Sequence, residues 1–159
     1  EGIAMGTRFM NTKESPVHEI QKAKSTEIDA FQTVYTNKVD GLYARVMKSK
    51  GADRLMNKRL NLVTAAFLSK KIAGIVGLPW LKVAAGIMLM GPKKAIQMSR
   101  MANGFFAFQV GTMDGDNEKG VLPIGQITGI IHDTPTVKQA IERIVKEAGE
   151  VQKKLAAKL

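Results

Sequence analysis

Residues Gly2-Ile3-Ala4-Met5-Gly6-Thr7-Arg8-Phe9 form a short apolar run that ends in Gly-Thr. If the run is a strand, the turn at Gly6-Thr7 presents backbone N–H groups and a hydroxyl beyond its C-terminal edge. A phosphate suits that donor set best. A buried strand followed by an ordinary turn accounts for the same residues, because glycine beside a hydroxyl residue is common punctuation. Other chemistry is scarce. His18 and His132 are the two histidines, and each lies beside a helix-start signal, where capping or exposure explains it. Neither has a second histidine at metal-ligand spacing. His132 and Asp133 could orient one another for base catalysis, but adjacent residues usually point apart. Asp114-Gly115-Asp116-Asn117-Glu118-Lys119-Gly120 alternates acids as a calcium loop does, yet Lys119 and Gly125 stand where an EF-hand needs glycine and glutamate. No catalytic residue and no metal site is expected within the chain.

The elements that must hold these residues can be read in outline. Ser15-Pro16 predicts a helix start, with Ser15 as the cap and Val17, Ile20 and the stem of Lys24 on one face. From Phe31 to Lys48, β-branched and aromatic residues flank Asp40-Gly41, the texture of short extended segments joined by a turn. Leu55, Met56, Leu60, Val63, Ala66, Phe67 and Ile72 recur at three- and four-residue spacing, which predicts a helix over 52–74. Leu78-Pro79-Trp80 opens a second helix, Gly91-Pro92 ends it, and a third runs from Pro92 toward Val110. Thr134-Pro135 starts a last helix. Its apolar stripe is Val137, Ile141, Ile144, Val145, Ala148, Val151 and Leu155, with Glu142/Lys146 and Glu150/Lys154 as i,i+4 pairs.

Charge and composition narrow the partners. The 159 residues carry 24 Lys+Arg against 14 Asp+Glu, a formal net charge of +10. The excess is concentrated between Arg45 and Arg100, a block with twelve basic residues and the single acid Asp53. Nucleic acid, an acidic carrier protein or a phosphate-bearing cofactor would answer that charge. A solvated face that keeps an apolar helical region in solution would answer it too. Phe67 and Trp80 are the aromatics inside the block, too few for the interleaving that nucleic-acid binding favours, so no nucleic-acid partner is expected. The apolar stretch Ile72–Met90 contains Pro79, three glycines and Lys82, which make a membrane-spanning helix costly. Zero cysteines exclude disulfides and thiolate metal sites and fit a reducing, cytoplasmic setting.

Two stretches carry a family resemblance. Ala4-Met5-Gly6-Thr7-Arg8-Phe9, continued by Asn11-Thr12-Lys13-Glu14-Ser15-Pro16-Val17-His18, resembles the signature of the nitronate monooxygenase (2-nitropropane dioxygenase) family. Far downstream, Leu122-Pro123-Ile124-Gly125-Gln126-Ile127-Thr128-Gly129-Ile130-Ile131-His132-Asp133 resembles the family's Ala-Gly-Gln-x-x-Gly-Leu-Ile segment. The resemblance implies an α/β fold: an FMN-binding TIM barrel with a mainly helical inserted domain, of which this mostly α chain is a C-terminal fragment with the last strand and the terminal helix. A complete barrel takes roughly 250 residues, so the fragment reading expects most of the barrel upstream of Glu1.

The divisions implied are 1–30, the end of the barrel; 31–120, the helical cap; and 121–159, a return segment and terminal helix packed on the barrel. Ala4, Met5, Gly6 and Thr7 stand at the family's Gln-Met-Gly-Thr positions and imply the phosphate end of an FMN site, with Ala4 departing from glutamine. Arg8 could join the phosphate or serve a structural pair, and Gln126 could line the cleft between the domains. The Met- and Phe-rich residues Met88, Met90, Met98, Met101, Phe105, Phe106 and Phe108 suit an apolar substrate channel or a plain core.

The activity implied is FMN-dependent oxidation of a small substrate, an alkyl nitronate, by the full-length protein, the fragment alone being inactive. Relatives within the family widen this to an NAD(P)H-dependent flavin reductase such as enoyl-ACP reductase II or NADH:quinone reductase. A basic helical module that docks on a polyanion without catalysis is the alternative from another class.

Overall fold

The computed structural model describes residues 2–58, 69–70, 73–74, 77–89 and 91–158. Its elements are helix α1 (Gly6–Met10), helix α2 (Glu19–Glu27), strands β1 (Thr33–Thr36) and β2 (Ala44–Met47), and helices α3 (Lys50–Asn57), α4 (Trp80–Leu89), α5 (Pro92–Met113) and α6 (Val137–Ala156). Short 3-10 turns at Ala30–Gln32 and Gln126–Ile130 complete them. The fold is mostly helical with one two-stranded sheet, whose antiparallel register pairs Thr33 with Met47 and Thr36 with Ala44. The extended pair expected around Asp40-Gly41 is therefore present, and Gly41 supplies the φ of +95° that its connection requires.

The opening run departs from the strand expected over Gly2–Met10. Gly2–Met5 pairs with no strand among the described residues, and the chain turns helical at Gly6. A strand needs a neighbour to take its backbone groups; without one, the Phe9 N–H donates to the Met5 carbonyl and a turn of helix closes instead. Helix α2 starts later than Ser15-Pro16 predicts, with His18 as cap and its Nδ1 accepting the Ile20 N–H at 3.3 Å. Its buried face is polar, Gln21, Lys22 and Ser25, while Ile20 is exposed. Gln21 Nε2 donates to the Gly111 carbonyl at 2.7 Å and Ser25 Oγ to Asn11 Oδ1 at 2.6 Å, while Gln21 Oε1 and Asn11 Nδ2 are buried without a partner among the described residues.

Helix α3 is capped by Ser49, whose Oγ accepts the Ala52 N–H, and ends at Asn57; the rest of the predicted 52–74 helix lies mostly outside the described residues. Helix α5 follows the pattern of glycine then proline: Gly91 at φ +83° leads into Pro92 at the first turn. Two of its glycines let other backbone approach. A Cβ on Gly104 would lie 2.4 Å from Asp40 Cβ, and one on Gly111 would lie 2.3 Å from the Val121 carbonyl oxygen. Against that face, the Val121 N–H donates to the Ala107 carbonyl at 2.9 Å. The segment then runs beside β2 as an irregular third strand, with Met47 N–H to Leu122 O at 2.9 Å, Ile124 N–H to Arg45 O at 3.0 Å and a bridge from Val46 to Pro123.

The hydrophobic core sits on either side of this threaded segment. Val39, Val46, Ala52, Leu55, Ala107 and Val121 form one cluster, and Met47, Leu122 and Ile124 form another with Met10, Val17 and Ile28 packed on it. Helix α6 begins at Val137, two residues later than Thr134-Pro135 suggests. Thr136 and Gln139 make a capping box, and the Glu14 carboxylate accepts the Val137 N–H. Its apolar stripe remains open: Ile141, Val145, Val151 and Leu155 are exposed, and Ala140 is the buried residue of the helix. Glu142 pairs with Lys138 at 3.9 Å rather than with Lys146.

The glycine contacts generate a paired prediction. Gly111→Ala forces a methyl into the backbone of Val121 and is expected to destabilise the protein by about 1–3 kcal/mol. Gly149→Ala, on α6 with open space around its Cβ, is expected to stabilise it by about 0.5–1 kcal/mol. Urea unfolding midpoints should move in opposite directions, and equal shifts would contradict this packing.

Candidate functional site

A cleft of about 720 Å³ opens where the two signature stretches meet. Ala4, Met5, Gly6 and Thr7 line it from one side and Gly125, Gln126 and Ile127 from another, with Arg143 and Ile144 of α6 completing it. Thr7 joins the two stretches directly: its Oγ1, buried with the side chain, accepts the Gly125 N–H at 2.9 Å. That bond uses one acceptor position of the hydroxyl and leaves its proton to be donated elsewhere. Thr7 also anchors the end of α1, its carbonyl accepting the Asn11 N–H at 3.2 Å.

Backbone donors accompany the hydroxyl. The first bond inside α1 comes from the Phe9 N–H, so the N–H groups of Gly6, Thr7 and Arg8 precede the helical ladder. Nothing lies within 4 Å of where a Gly6 Cβ would stand, so a ligand can approach this backbone closely. The combination of N–H groups, one hydroxyl and an open approach suits an anion with several acceptor oxygens.

Arg8 is committed to a structural role. Its Nη1 donates to Asp133 Oδ1 at 2.7 Å and its Nη2 to the carbonyls of Asn11 at 2.7 Å and Asp133 at 2.8 Å. Asp133 also takes Arg143 Nη2 on Oδ2 at 2.7 Å, so one carboxylate ties α1 to α6 through two guanidinium groups. Burial raises the cost of ionising Asp133, but hydrogen bonds from Arg143 and Arg8, reinforced by their charges, outweigh it and hold its carboxyl below its ordinary range. Arg8 Nε is buried beside the cleft without a hydrogen-bond partner among the described residues.

The histidines keep structural posts and do not line this cleft. His18 caps α2, and His132 Nδ1 lies 3.2 Å from the Thr26 carbonyl. The acidic loop is a turn closed on itself: Asp116 Oδ1 accepts the N–H groups of Glu118 and Lys119, which hold its carboxyl below its ordinary range. No group of three or more metal-ligating side chains occurs among the described residues, and no helix among them is long and apolar enough to cross a membrane. Met98, Met101, Phe105 and Phe106 are exposed, so they are not a plain core. With Leu42 and Phe108, three of them (Met98, Met101 and Phe105) line a separate apolar cleft of about 400 Å³. Met90 lies outside the described residues.

Sequence reasoning reached Ala4 to Thr7 and the Gly125-Gln126 segment but missed Asp133 and Arg143 as cross-links. Arg8 and Asp133 stand 125 positions apart, and no local spacing signals a pair of that separation.

The family model described as nitronate monooxygenase matches residues 1–147. The chain is 32% identical over 152 residues to a (3aS,4S,5R,7aS)-5-hydroxy-7a-methyl-1-oxo-octahydro-1H-indene-4-carboxyl-CoA dehydrogenase of Mycobacterium tuberculosis, covering 92% of this chain and 43% of that protein. The Rhodococcus jostii enzyme of the same name is 31% identical over the same coverage. Among solved structures, FabK from Thermotoga maritima superposes with a TM-score of 0.66 at 26% identity, over all of this chain and 40% of that one. The chain thus spans about two fifths of the length of the relatives it matches.

The Asp133 cross-link generates a pH prediction. Its folded-state pKa is depressed, so its contribution is complete above the unfolded Asp value and is lost as pH falls through the folded value. Because the carboxylate is 42% exposed, Asp133→Asn is expected to cost only about 0.5–1 kcal/mol at neutral pH. It should also flatten the acid limb of a stability–pH curve below about pH 4. A variant whose acid limb matches the wild type would show that Asp133 carries no such linkage.

Proposed function

The chain belongs to the nitronate monooxygenase family, and from that premise we propose that it is the C-terminal part of an FMN-dependent oxidoreductase, contributing the phosphate end of the flavin site. The family is one of flavin-dependent oxidoreductases related in fold to TIM-barrel proteins. Its resemblance to this chain rests on two stretches, and the 2.9 Å bond from the Gly125 N–H to Thr7 Oγ1 brings them together at one cleft. That bond is the observation that carries the reading.

The donor set suits a phosphate. Gly6 and Thr7 would offer their N–H groups, and the Thr7 hydroxyl, held in place by Gly125, would donate its free proton. Ala4 would add no side-chain contact, and Met5 would pass only its backbone along the ligand. Arg8 and Arg143 would act through Asp133 by fixing the end of α1 against α6. When bound, the flavin supplies the electron transfer, and the protein supplies orientation and the surroundings of the ring. Residues 31–120 would cover the cleft and select the substrate. Among the described residues, Glu147 of α6 is the one carboxylate lining this cleft; on the family reading the proton-transferring group would belong to the remainder of the full-length protein.

Oxidation of an alkyl nitronate is the reaction that gives the family its name and is the leading substrate assignment. A second reading, a reductase or dehydrogenase acting on a CoA or carrier-protein thioester, is favoured by the two carboxyl-CoA dehydrogenases at 31% and 32% identity. Anaerobic mixing of the full-length flavoprotein with an alkyl nitronate, NADH, NADPH or an acyl-CoA separates them, since only a true donor bleaches the oxidised flavin band.

The phosphate assignment has its own test. Thr7→Val removes the hydroxyl donor and strands the Gly125 N–H, and is expected to weaken FMN binding by about tenfold, roughly 1–2 kcal/mol. Thr7→Ser should retain it. Equal FMN affinity in all three proteins, measured by fluorescence quenching, would remove Thr7 from the site.

A further inference from the structure

Helix α2 reverses the usual amphipathic order: Gln21, Lys22 and Ser25 are buried and Ile20 is exposed. A buried polar face forgoes apolar burial, and what such a network supplies instead is a single fixed arrangement. The bonds of Ser25 lead to the candidate anion site from both sides. Thr128 Oγ1 donates to the Ser25 carbonyl at 2.6 Å, and the Thr128 N–H donates to the Gly125 carbonyl at 3.2 Å. In the other direction Ser25 Oγ lies 2.6 Å from Asn11 Oδ1, and the Asn11 N–H donates to the Thr7 carbonyl at 3.2 Å. The Gly125 N–H on Thr7 Oγ1 at 2.9 Å closes the path. Thr7, Asn11, Ser25, Thr128 and Gly125 thus form a ring, and Asn11, Ser25 and Thr128 are fully buried in it.

The Ser25 hydroxyl has one proton and also lies 2.8 Å from the Lys22 carbonyl. An amide meets a hydroxyl with its oxygen or with its nitrogen, so Asn11 stays in the ring with the proton on either acceptor. Thr128 and Ser25 stand 103 positions apart and Gly125 and Thr7 118, so the ring, not the local chain, sets the spacing of the two stretches. Asn11, Ser25 and Thr128 do not line the cleft, whereas Thr7 and Gly125 do. The bond on the Asn11 N–H also ends α1, whose first residues, Gly6 to Arg8, line the same cleft. A ring serving stability alone has no reason to close on those two residues.

We propose that Asn11, Ser25 and Thr128 are positioning residues for anion recognition, holding the N–H groups of Gly6 and Thr7 and the Thr7 hydroxyl at the spacing a phosphate requires. The inference rests on the phosphate reading of the cleft and adds that affinity for the phosphate is set by buried residues that never meet it. Small displacements suffice, since such donors have to be held within about 0.5 Å of the productive geometry.

The test is titration of FMN and of riboflavin into the full-length protein after flavin removal, followed by flavin fluorescence. Riboflavin carries the same ring system without the phosphate, so the ratio of the two affinities isolates the phosphate end. Ser25→Ala and Thr128→Val should each lower the preference for FMN by about fivefold and leave riboflavin affinity unchanged. Thr128→Ser keeps the hydroxyl and should restore the preference. Thr7→Val combined with Thr128→Val should lose less than the product of the two single losses, because both act on the same donors. Ser25→Ala removes one oxygen only, so the ratio stays measurable even where Thr128→Val fails to fold. Variants that shift the urea midpoint but keep the full preference for FMN, or that weaken both flavins alike, overturn the proposal and leave the phosphate reading standing. A wild-type protein that binds riboflavin as tightly as FMN removes the phosphate reading itself, and this inference with it.

Discussion

The close approach of backbone to backbone at Gly111 and Gly120 governs how the rest of the chain is arranged. A Cβ on Gly120 would stand 2.1 Å from the Gly111 nitrogen, and one on Gly51 would stand 2.1 Å from the Gly120 carbonyl oxygen. Only glycine permits three segments to meet at that distance. The contact brings α3, α5 and the following segment together, and lateral hydrogen bonds from Val121 and Gln21 then use carbonyl oxygens of α5. From there Leu122 to Ile124 run along β2, and the next residue is Gly125, delivered to Thr7. The site is thus positioned by the scaffold rather than by its own loop.

The same route explains the electrostatics of the cleft. Thr128 Oγ1 donates to the Ser25 carbonyl at 2.6 Å, which ties the segment beyond Gly125 to α2, and Asp133 then lies within reach of both Arg8 and Arg143. One carboxylate between two guanidinium groups locks α1 to α6 without spending the N–H donors of the first turn of α1. The lining residues that could meet a ligand and the residues that hold them are different residues.

Much of the local structure was legible because it depends on local chemistry. Gly91-Pro92 and the turn at Gly41 mark element ends by backbone conformation, which the residue types reveal. The hairpin and the helices from Trp80 and Pro92 followed in the same way. Three features were not legible. The opening run pairs with no strand among the described residues, so its apolar sequence does not become a strand. His18 displaced Ser15 as the cap because the chain is anchored there by the His18 N–H to the Thr112 carbonyl at 2.8 Å, a contact 94 positions away in sequence. The Arg8, Asp133 and Arg143 network joins distant positions and has no periodic signature. For the candidate cleft, the resemblance named Ala4 to Thr7 and Gly125, and the fold brings the two stretches together there.

A crystal structure of the full-length protein with FMN bound tests the central claim most directly. The account predicts phosphate oxygens about 3 Å from the amide nitrogens of Gly6 and Thr7 and from Thr7 Oγ1, with the Gly125 N–H still on that hydroxyl. An FMN phosphate held elsewhere, with Gly6 and Thr7 making no contact to it, would contradict it.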